Sequence, residues 1–237
     1  MKFSEILKEG GNIFKGDLST DRIPKALIMP TVLFLEKITG LKFSNNLLGS
    51  TNVKESSGDI DIGISEDEIS KEYLINKLSQ WVVKNYNITP KTFIKKSGIN
   101  VHFRCPMAGD QNLGFVQVDF MFVPDITYTK WAMKADPTSN YKNKERTILL
   151  NSIAKSKGLL FGYLTGLRNR ETGELLKSGN NPVVIAKYLL GNSATVKDIS
   201  SVENILKYIR KFNNDQQKEM LKDFNDSLAK SNLPTFK

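Results

Sequence analysis

Two aspartates, Asp59 and Asp61, stand two residues apart in the stretch Ser-Gly-Asp-Ile-Asp-Ile-Gly-Ile. Ile60 and Ile62 alternate with them, which is the period of a β-strand with one buried face. Both carboxylates therefore point to the same side of the strand. Acidic side chains this close repel each other, and cations held between them keep both ionised. Because every ligand atom would be an oxygen, the spacing indicates a site for magnesium or manganese.

A third carboxylate, Asp119, occupies a later strand of similar character. In the stretch Phe-Val-Gln-Val-Asp-Phe-Met-Phe-Val, the apolar Val118 and Phe120 point to one face and Asp119 to the other. Taken alone, this pattern is typical of an aspartate on the solvated face of a sheet. Together with Asp59 and Asp61, Asp119 becomes a candidate third ligand.

The elements that position these carboxylates are predicted from hydrophobic periodicity. Helical spacing of apolar residues predicts helices at 1–16, 21–40, 66–86, 141–157, 182–190, 198–211 and 214–230. Alternating or continuous apolar runs predict strands at 45–49, 59–65, 91–96, 99–105 and 115–123, and a hairpin at 159–177 with its turn at 170–173. Pro30 is expected to kink the second helix or to start a new one.

This order of elements predicts an α+β fold with a mixed sheet of about five strands, flanked by helices. We expect two domains. Residues 1–140 would form the N-terminal helices and the sheet, and residues 141–237 a smaller basic region with a hairpin and the C-terminal helices. The irregular stretch 124–140 is the expected boundary.

The overall composition narrows the classes of partner. The formal net charge of +9 favours a polyanionic partner, because Lys and Arg that neutralise phosphates release counterions; a generally basic, soluble surface is the alternative. Cys105 is the single cysteine, which excludes an internal disulfide and a cysteine-based zinc site. No apolar run approaches the roughly 20 residues that cross a bilayer, and the first residues lack the apolar core of a secretion signal. We therefore expect a soluble, cytoplasmic protein.

Two other features are each open to two interpretations. His102 is the only histidine and alternates with apolar neighbours. We interpret it as a structural or surface residue, and the alternative is that it faces the same cleft as Asp119.

The predicted helix 141–157 carries five Lys and Arg. We expect it to line a nucleic-acid groove, with an ordinary solvated face as the alternative.

Three motifs in this order, Gly49-Ser50, Asp59-x-Asp61 and Val118-Asp119-Phe120, resemble the DNA polymerase β-like nucleotidyltransferase superfamily. Its pattern is Gly-Ser, an Asp-x-Asp strand, and a third acidic residue on a neighbouring strand. The stretch Glu-Ser-Ser-Gly-Asp-Ile-Asp at 55–61 is most similar to the family X polymerases. The segments 157–159, 166–167, 170–173 and 185–191 resemble the end of their thumb, so the resemblance extends over residues 41–195.

The resemblance implies a nucleotidyltransferase palm followed by a small thumb-like region. It implies transfer of a nucleotidyl group from an NTP or dNTP to a hydroxyl, with two Mg²⁺ or Mn²⁺ ions held by the catalytic residues Asp59, Asp61 and Asp119. In the family the Gly-Ser turn binds the triphosphate. We accordingly assign these residues to nucleotide binding: Gly49, Ser50, Lys54, Gly58 and Arg146.

The sequence departs from the polymerase pattern at two places. The polymerases carry arginine directly after Gly-Ser, whereas here Thr-Asn-Val-Lys follows in a shorter loop, leaving Lys54 as the nearby cation. The sugar-selecting segment of the family has no match at 127–131. The resemblance therefore implies no preference for deoxynucleotides. About 40 residues precede the palm-like part, too few for the family's lyase and helix-hairpin-helix regions, so we do not expect gap-filling repair.

The favoured acceptor is the 3′ end of a nucleic acid, in keeping with the basic charge. Two alternatives stay open. One is nucleotidylation of a protein or small molecule, since compact members of the superfamily lack a template grip. The other is a catalytically inactive nucleic-acid-binding or scaffold protein, against which the three aspartates argue.

Overall fold

A computed structural model describes residues 13–49, 51, 55–134 and 136–236. The chain divides into two compact units, Met1–Lys130 and Trp131–Lys237. The division falls inside the expected boundary stretch 124–140. This stretch is not irregular throughout, because Ile126–Met133 form a helix. Most of the helix predicted at 1–16 lies outside the described residues. Among the described residues, no helix is both long and apolar enough to cross a membrane.

The first unit is built on a mixed sheet, as expected. Its elements are β1 (Ile23–Pro24), α1 (Lys25–Thr39), β2 (Ser56–Ser57), β3 (Asp59–Ser65), α2 (Lys71–Tyr86), β4 (Ile94–Ser97), β5 (Asn100–Pro106), β6 (Phe115–Val123) and the first part of α3 (Ile126–Met133). Four strands form the main sheet in the order β3-β6-β5-β4. Strand β3 runs parallel to β6, and the other neighbouring pairs are antiparallel.

The predicted strand at 45–49 is reduced to an isolated bridge. Leu47 pairs with Ile62 in antiparallel fashion, while Leu48 N–H donates to the Asp61 carbonyl at 2.9 Å and Gly63 N–H donates to the Asn46 carbonyl at 2.8 Å. This segment therefore runs along the free edge of β3 and protects it.

One face of the sheet supplies the core. Fully buried side chains from the strands pack with those of the two long helices α1 and α2; they include Ile60, Ile62, Val101, Phe103, Val118, Phe120, Ile28, Val32, Leu35, Leu74, Leu78 and Val82. Each such side chain contributes about 1.5–3 kcal/mol by leaving water. The polar residues of the strands are thereby directed to the other face.

Helix α1 continues through Pro30 to Thr39, so of the two effects expected of this proline, the start of a new helix does not occur. The ring removes one backbone donor, but the apolar face of Ile28, Val32 and Leu35 is fully buried and offsets that loss. Gly40 ends the helix in the left-handed conformation at φ 74°.

The second unit is mainly helical. It contains the end of α3, then α4 (Asn143–Ser156), β7 (Leu159–Gly162), β8 (Gly166–Asn169), α5 (Pro182–Leu190), α6 (Val202–Ile209) and α7 (Asn214–Lys230). The hairpin β7–β8 turns at 163–165, not at the predicted 170–173. Residues 170–173 form a second turn, which brings Leu175 into a bridge with Arg168.

Helix α4 buries its apolar face, and Arg146 is the one residue of its expected basic face that is buried. It packs against α5, α6, α7 and β7, and its buried residues are Arg146, Ile148, Leu149, Leu150, Ser152, Ile153 and Ala154. Lys155 is exposed in its last turn, and Lys142 and Lys157 are exposed just beyond its two ends. This helix therefore belongs to the core of the second unit.

Candidate functional site

The register of β3 and β6 brings the three predicted carboxylates together. Asp61 pairs with Asp119, and Asp59 pairs with Gln117, across the parallel strands. One oxygen from each of Asp59, Asp61 and Asp119 lies within 4.8 Å of the others. Three acidic residues from distant parts of the sequence therefore form one cluster, which can hold a metal ion.

Burial of the alternating apolar residues forces this arrangement. Ile60 and Val118 are 0% exposed, and residues two apart on a strand share a face, so the aspartates beside them must project from the opposite face. A shift of the register by one residue would place carboxylates in the core. The hydrophobic pattern thus fixes the acidic cluster.

The electrostatics of the cluster suit a cation. Burial raises the pKa of Asp61 well above its ordinary value, with further increases from the charges of Asp59 and Asp119. Burial, followed by the charge of Asp119, also raises the pKa of Asp59. Three repelling carboxylates in a partly dehydrated site are stabilised by a divalent ion with hard oxygen ligands. The residues therefore fit Mg²⁺ or Mn²⁺.

Asp119 is also held by two neighbouring side chains. His102 Nδ1 lies 2.7 Å from its Oδ1, and Gln117 Nε2 donates to its Oδ2 at 3.1 Å. His102 is 3% exposed and sits opposite Asp119 in the β5–β6 pair. The preferred sequence interpretation did not anticipate this contact, whereas the alternative, that His102 faces the same side as Asp119, agrees with it.

Gly49 occupies the turn before the acidic strand with φ 63°, a left-handed conformation that glycine adopts without strain. The turn is tied to β3, since Asp61 N–H donates to Thr51 Oγ1 at 3.1 Å. Leu48 packs so closely on β3 that a Cβ at Gly63 would lie 3.4 Å from its side chain. Ser50 and Lys54 lie outside the described residues, so their assignments stay predictions.

Glu36, which the sequence interpretation missed, anchors the segment leading to this turn. Its Oε1 accepts hydrogen bonds from Phe43 N–H at 2.7 Å, Ser44 N–H at 2.9 Å and Ser44 Oγ at 2.7 Å. Burial alone would raise the pKa of Glu36, but the hydrogen bonds from Phe43 and Ser44 outweigh it and lower the pKa to about 2. The carboxylate at the end of α1 therefore fixes the approach to Gly49.

Arg22 supplies a cation that the sequence interpretation also missed. Its Nε and Nη2 donate to the hydroxyl and carbonyl oxygens of Ser56 at 3.2 and 3.1 Å, and its Nη1 would lie 3.6 Å from a Cβ at Gly58. Its charge partly opposes the rise in the pKa of Asp59. Lys54 is therefore not the single cation near the acidic strand. The pairing of β1 with β2 brings Arg22 to the acidic strand. These strands are only two residues long, so periodicity in the sequence does not predict them.

No protein-family model matches this chain, and no curated protein matches it. The case for a function therefore rests on the residues themselves. They are the acidic cluster of Asp59, Asp61 and Asp119, the left-handed turn at Gly49 and the guanidinium of Arg22.

The structure does not support the assignment of Arg146 as a triphosphate contact. It is 3% exposed, and its guanidinium donates to the carbonyl oxygens of Ile199 at 2.7 Å and Ala132 at 3.0 Å. It also packs over the ring of Trp131, 4.9 Å from the centroid. Arg146 therefore joins parts of the second unit, and we omit it from the proposed nucleotide site.

Proposed function

We infer that this protein is a metal-dependent nucleotidyltransferase, which transfers a nucleotidyl group from a nucleoside triphosphate to a hydroxyl. The observation that carries the proposal is the meeting of Asp59, Asp61 and Asp119, whose ligand oxygens lie within 4.8 Å of one another. The Gly49 turn and Arg22 lie next to the same strand, and groups of these types bind phosphates. An acidic cluster beside phosphate-binding groups favours nucleotide chemistry over simple metal storage.

Asp59, Asp61 and Asp119 would hold two Mg²⁺ or Mn²⁺ ions, because their oxygens are the ligands that these hard cations prefer. When bound, the ions would neutralise the triphosphate, lower the pKa of the acceptor hydroxyl and stabilise the in-line transition state. Without such ions the cluster would repel the substrate.

The side chains have distinct roles in the proposed transfer. The acceptor oxygen forms a bond to the α-phosphorus, the bond from that phosphorus to the β-phosphate oxygen breaks, and pyrophosphate leaves. Asp119 accepts the proton of the acceptor hydroxyl. Arg22 neutralises charge on the departing phosphates through the part of its guanidinium that Ser56 does not occupy.

The distribution of charge favours a nucleic-acid acceptor. Residues 131–237 carry 18 Lys and Arg against 10 Asp and Glu, whereas residues 1–130 carry 16 against 15. Nearly all of the net positive charge therefore belongs to the unit that does not contain the carboxylates. A basic unit of this kind suits a polyanion, whose binding releases counterions. We take the 3′ end of a nucleic acid as the acceptor.

The test is a transfer assay with nucleoside triphosphates labelled at the α-phosphate, Mg²⁺ or Mn²⁺, and a panel of acceptors. The panel should include single-stranded DNA and RNA, duplexes with a recessed 3′ end, transfer RNA, proteins and small hydroxyl compounds. Asp119→Asn removes the proton acceptor and should lower the rate by about 10²- to 10⁴-fold. Asp67→Asn, an exposed aspartate of the same unit, is the matched control.

Label on a protein or small molecule would replace the nucleic-acid acceptor with the corresponding alternative. Absence of transfer to every acceptor, or equal transfer by Asp119→Asn and the parent, would contradict the proposed function. Nucleic-acid binding without any transfer would instead support an inactive binding protein.

A further inference from the structure

The three carboxylates of the acidic cluster differ in how the chain holds them. Asp119 is 4% exposed, and each of its two oxygens has its own partner, His102 on Oδ1 and Gln117 on Oδ2. Among the described residues, no side chain donates a hydrogen bond to the carboxylate of Asp59 or Asp61. Asp119 is therefore the member of the cluster whose orientation is fixed from outside it.

The amide orientation of Gln117 is determined by a second contact. Ile13 N–H donates to Gln117 Oε1 at 2.8 Å, and the Ile13 carbonyl accepts from Lys95 Nζ at 2.8 Å. If the amide were flipped, its NH₂ group would face the Ile13 N–H, and its oxygen would face the Asp119 carboxylate oxygen. Two donors would then face each other, and so would two acceptors. The observed orientation, with Nε2 facing Asp119, is the one that satisfies both neighbours.

The tautomer of His102 is determined in a similar way. We assign the ring hydrogen to Nδ1, which then donates to the Asp119 carboxylate oxygen 2.7 Å away. His102 Nε2 is buried without a hydrogen-bond partner among the described residues, and an unpaired buried N–H costs more than a bare ring nitrogen. The arrangement favours the tautomer with its hydrogen on Nδ1, so that His102 orients Asp119 through this hydrogen bond.

We propose that His102 and Gln117 are positioning residues that hold Asp119 in the orientation required to bind a divalent cation together with Asp59 and Asp61. Each donates to one oxygen of Asp119, and the remaining lone pairs are left for the cation and for the proton of the acceptor hydroxyl. A lysine or arginine in either place would also orient Asp119 but would compete with the metal for its charge. This inference rests on the proposed function, because it assumes that the cluster binds a metal.

The first experiment needs no metal. His102 is the only histidine, so a long-range ¹H–¹⁵N NMR spectrum of the metal-free protein reports on this ring without assignment. The expected spectrum is that of a ring with its hydrogen on Nδ1, and Asp119→Ala should change it. A ring with its hydrogen on Nε2, or a spectrum that Asp119→Ala leaves unchanged, would overturn the proposal.

The second experiment measures Mn²⁺ affinity by electron paramagnetic resonance. His102→Asn and His102→Leu form a matched pair, since the two side chains have similar shapes and the asparagine amide nitrogen occupies the place of Nδ1. His102→Leu should weaken Mn²⁺ binding by about 10- to 100-fold, the usual effect of removing a partner of a metal ligand. His102→Asn should restore most of the affinity. Gln117→Met should weaken binding in the same direction.

The outcomes separate the two proposals. A parent that binds no Mn²⁺ would contradict the proposed function, whatever the NMR spectrum shows. A parent that binds Mn²⁺, with His102→Leu and Gln117→Met binding equally well, would overturn the positioning role and leave the proposed function intact. Thermal unfolding of each variant checks that it is folded, and if His102→Leu does not fold, Gln117→Met and the NMR spectrum still decide.

Discussion

Arg22 donates two hydrogen bonds to Ser56, at 3.2 and 3.1 Å, although the two residues are 34 positions apart. Because Ser56 lies in the short strand immediately before Asp59, the guanidinium is fixed beside the first carboxylate of the cluster. The sequence directly after Gly49 contains no arginine, and Arg22 brings a guanidinium to the acidic strand from a different segment.

Replacing Arg22 should therefore weaken binding of the nucleoside triphosphate. We expect Arg22→Ala to raise KM for the triphosphate by about 10- to 100-fold, since a hydrogen bond to a charged group is worth about 1.5–3 kcal/mol. Arg22→Lys should fall in between, because lysine keeps the charge but not the fork. Steady-state kinetics provide the measurement, with the exposed Lys84→Ala as control. An unchanged KM in Arg22→Ala would remove this residue from the site.

The pKa shifts in the cluster predict how the stability of the metal-free protein depends on pH. The pKa values of Asp59 and Asp61 are raised by burial and by neighbouring carboxylates, so the folded state holds these protons more tightly than the unfolded chain. Their contribution to stability is complete below the ordinary value of 3.8 and is lost as pH rises through the raised values. At neutral pH without metal, Asp61→Asn should be more stable than the parent.

Mn²⁺ should reverse that order. A ligand at 100 times its Kd stabilises the folded protein by about 2.7 kcal/mol, and Asp61→Asn loses part of the binding set. Thermal unfolding across pH, with Mn²⁺ and with a chelator, tests both halves of the prediction. If Asp61→Asn were less stable than the parent under both conditions, the repulsion inferred for the cluster would be wrong.

Glu36 should be important for stability and for the Gly49 turn. Glu36→Ala removes three hydrogen bonds to one carboxylate oxygen and should reduce the free energy of unfolding by about 2–3 kcal/mol at pH 7. The pKa of Glu36 is lowered to about 2 from 4.5. The parent's advantage is thus present above pH 4.5 and is lost as pH falls toward 2.

Urea unfolding at several pH values measures this difference. Glu72→Ala provides the control, because Glu72 is an exposed glutamate of α2. A difference between Glu36→Ala and the parent that stays constant down to pH 2 would show that the carboxylate is not responsible.

Acceptor binding should depend on salt and on the second unit. Lys207, Arg210 and Lys211 are exposed near the end of α6, and Lys157 lies over the ring of Phe212, 5.7 Å from its centroid. A triple alanine variant of Lys207, Arg210 and Lys211 should bind single strands with a shallower slope of log K against log salt. The slope should fall by about 0.7 for each phosphate that the variant no longer neutralises. Fluorescence anisotropy with labelled oligonucleotides measures the slope.

The control for this measurement is a triple alanine variant of exposed first-unit lysines, Lys37, Lys84 and Lys91. Equal effects of the two triple variants would mean that charge alone, and not its position in the second unit, governs binding.

The sequence predicted those helices and strands whose bounds depend only on the residues within the segment. Strand β6 and helix α7 have the predicted bounds. A long apolar run marks β6, whereas apolar residues at helical spacing, Met220, Phe224 and Leu228, and the N-cap Asn213 mark α7. The cluster of Asp59, Asp61 and Asp119 was also predicted. Alternation assigns each aspartate to a face, and the resemblance implied that the two strands are neighbours.

Features that depend on pairing between distant segments were not predictable. The contact of Arg22 with Ser56 needs the two-residue strands β1 and β2, which are too short to show a period. The contact of His102 with Asp119 depends on the register of two antiparallel strands. A slip of one residue would place the two side chains on opposite faces of the sheet. The burial of Arg146 was missed because its position among the basic residues of α4 suggested an exposed side chain.

The strand order has a consequence for partial unfolding. Strand β6 has β3 on one side and β5 on the other, so the backbone around Asp119 is hydrogen-bonded on both sides. Amide hydrogens in such a strand exchange with solvent only in openings close to global unfolding, whereas loop segments open at far lower cost. Mild denaturant should therefore release the turn at Gly49 while Asp119 and His102 keep their places. Nucleotide affinity should disappear before the hydrogen-exchange protection of β6.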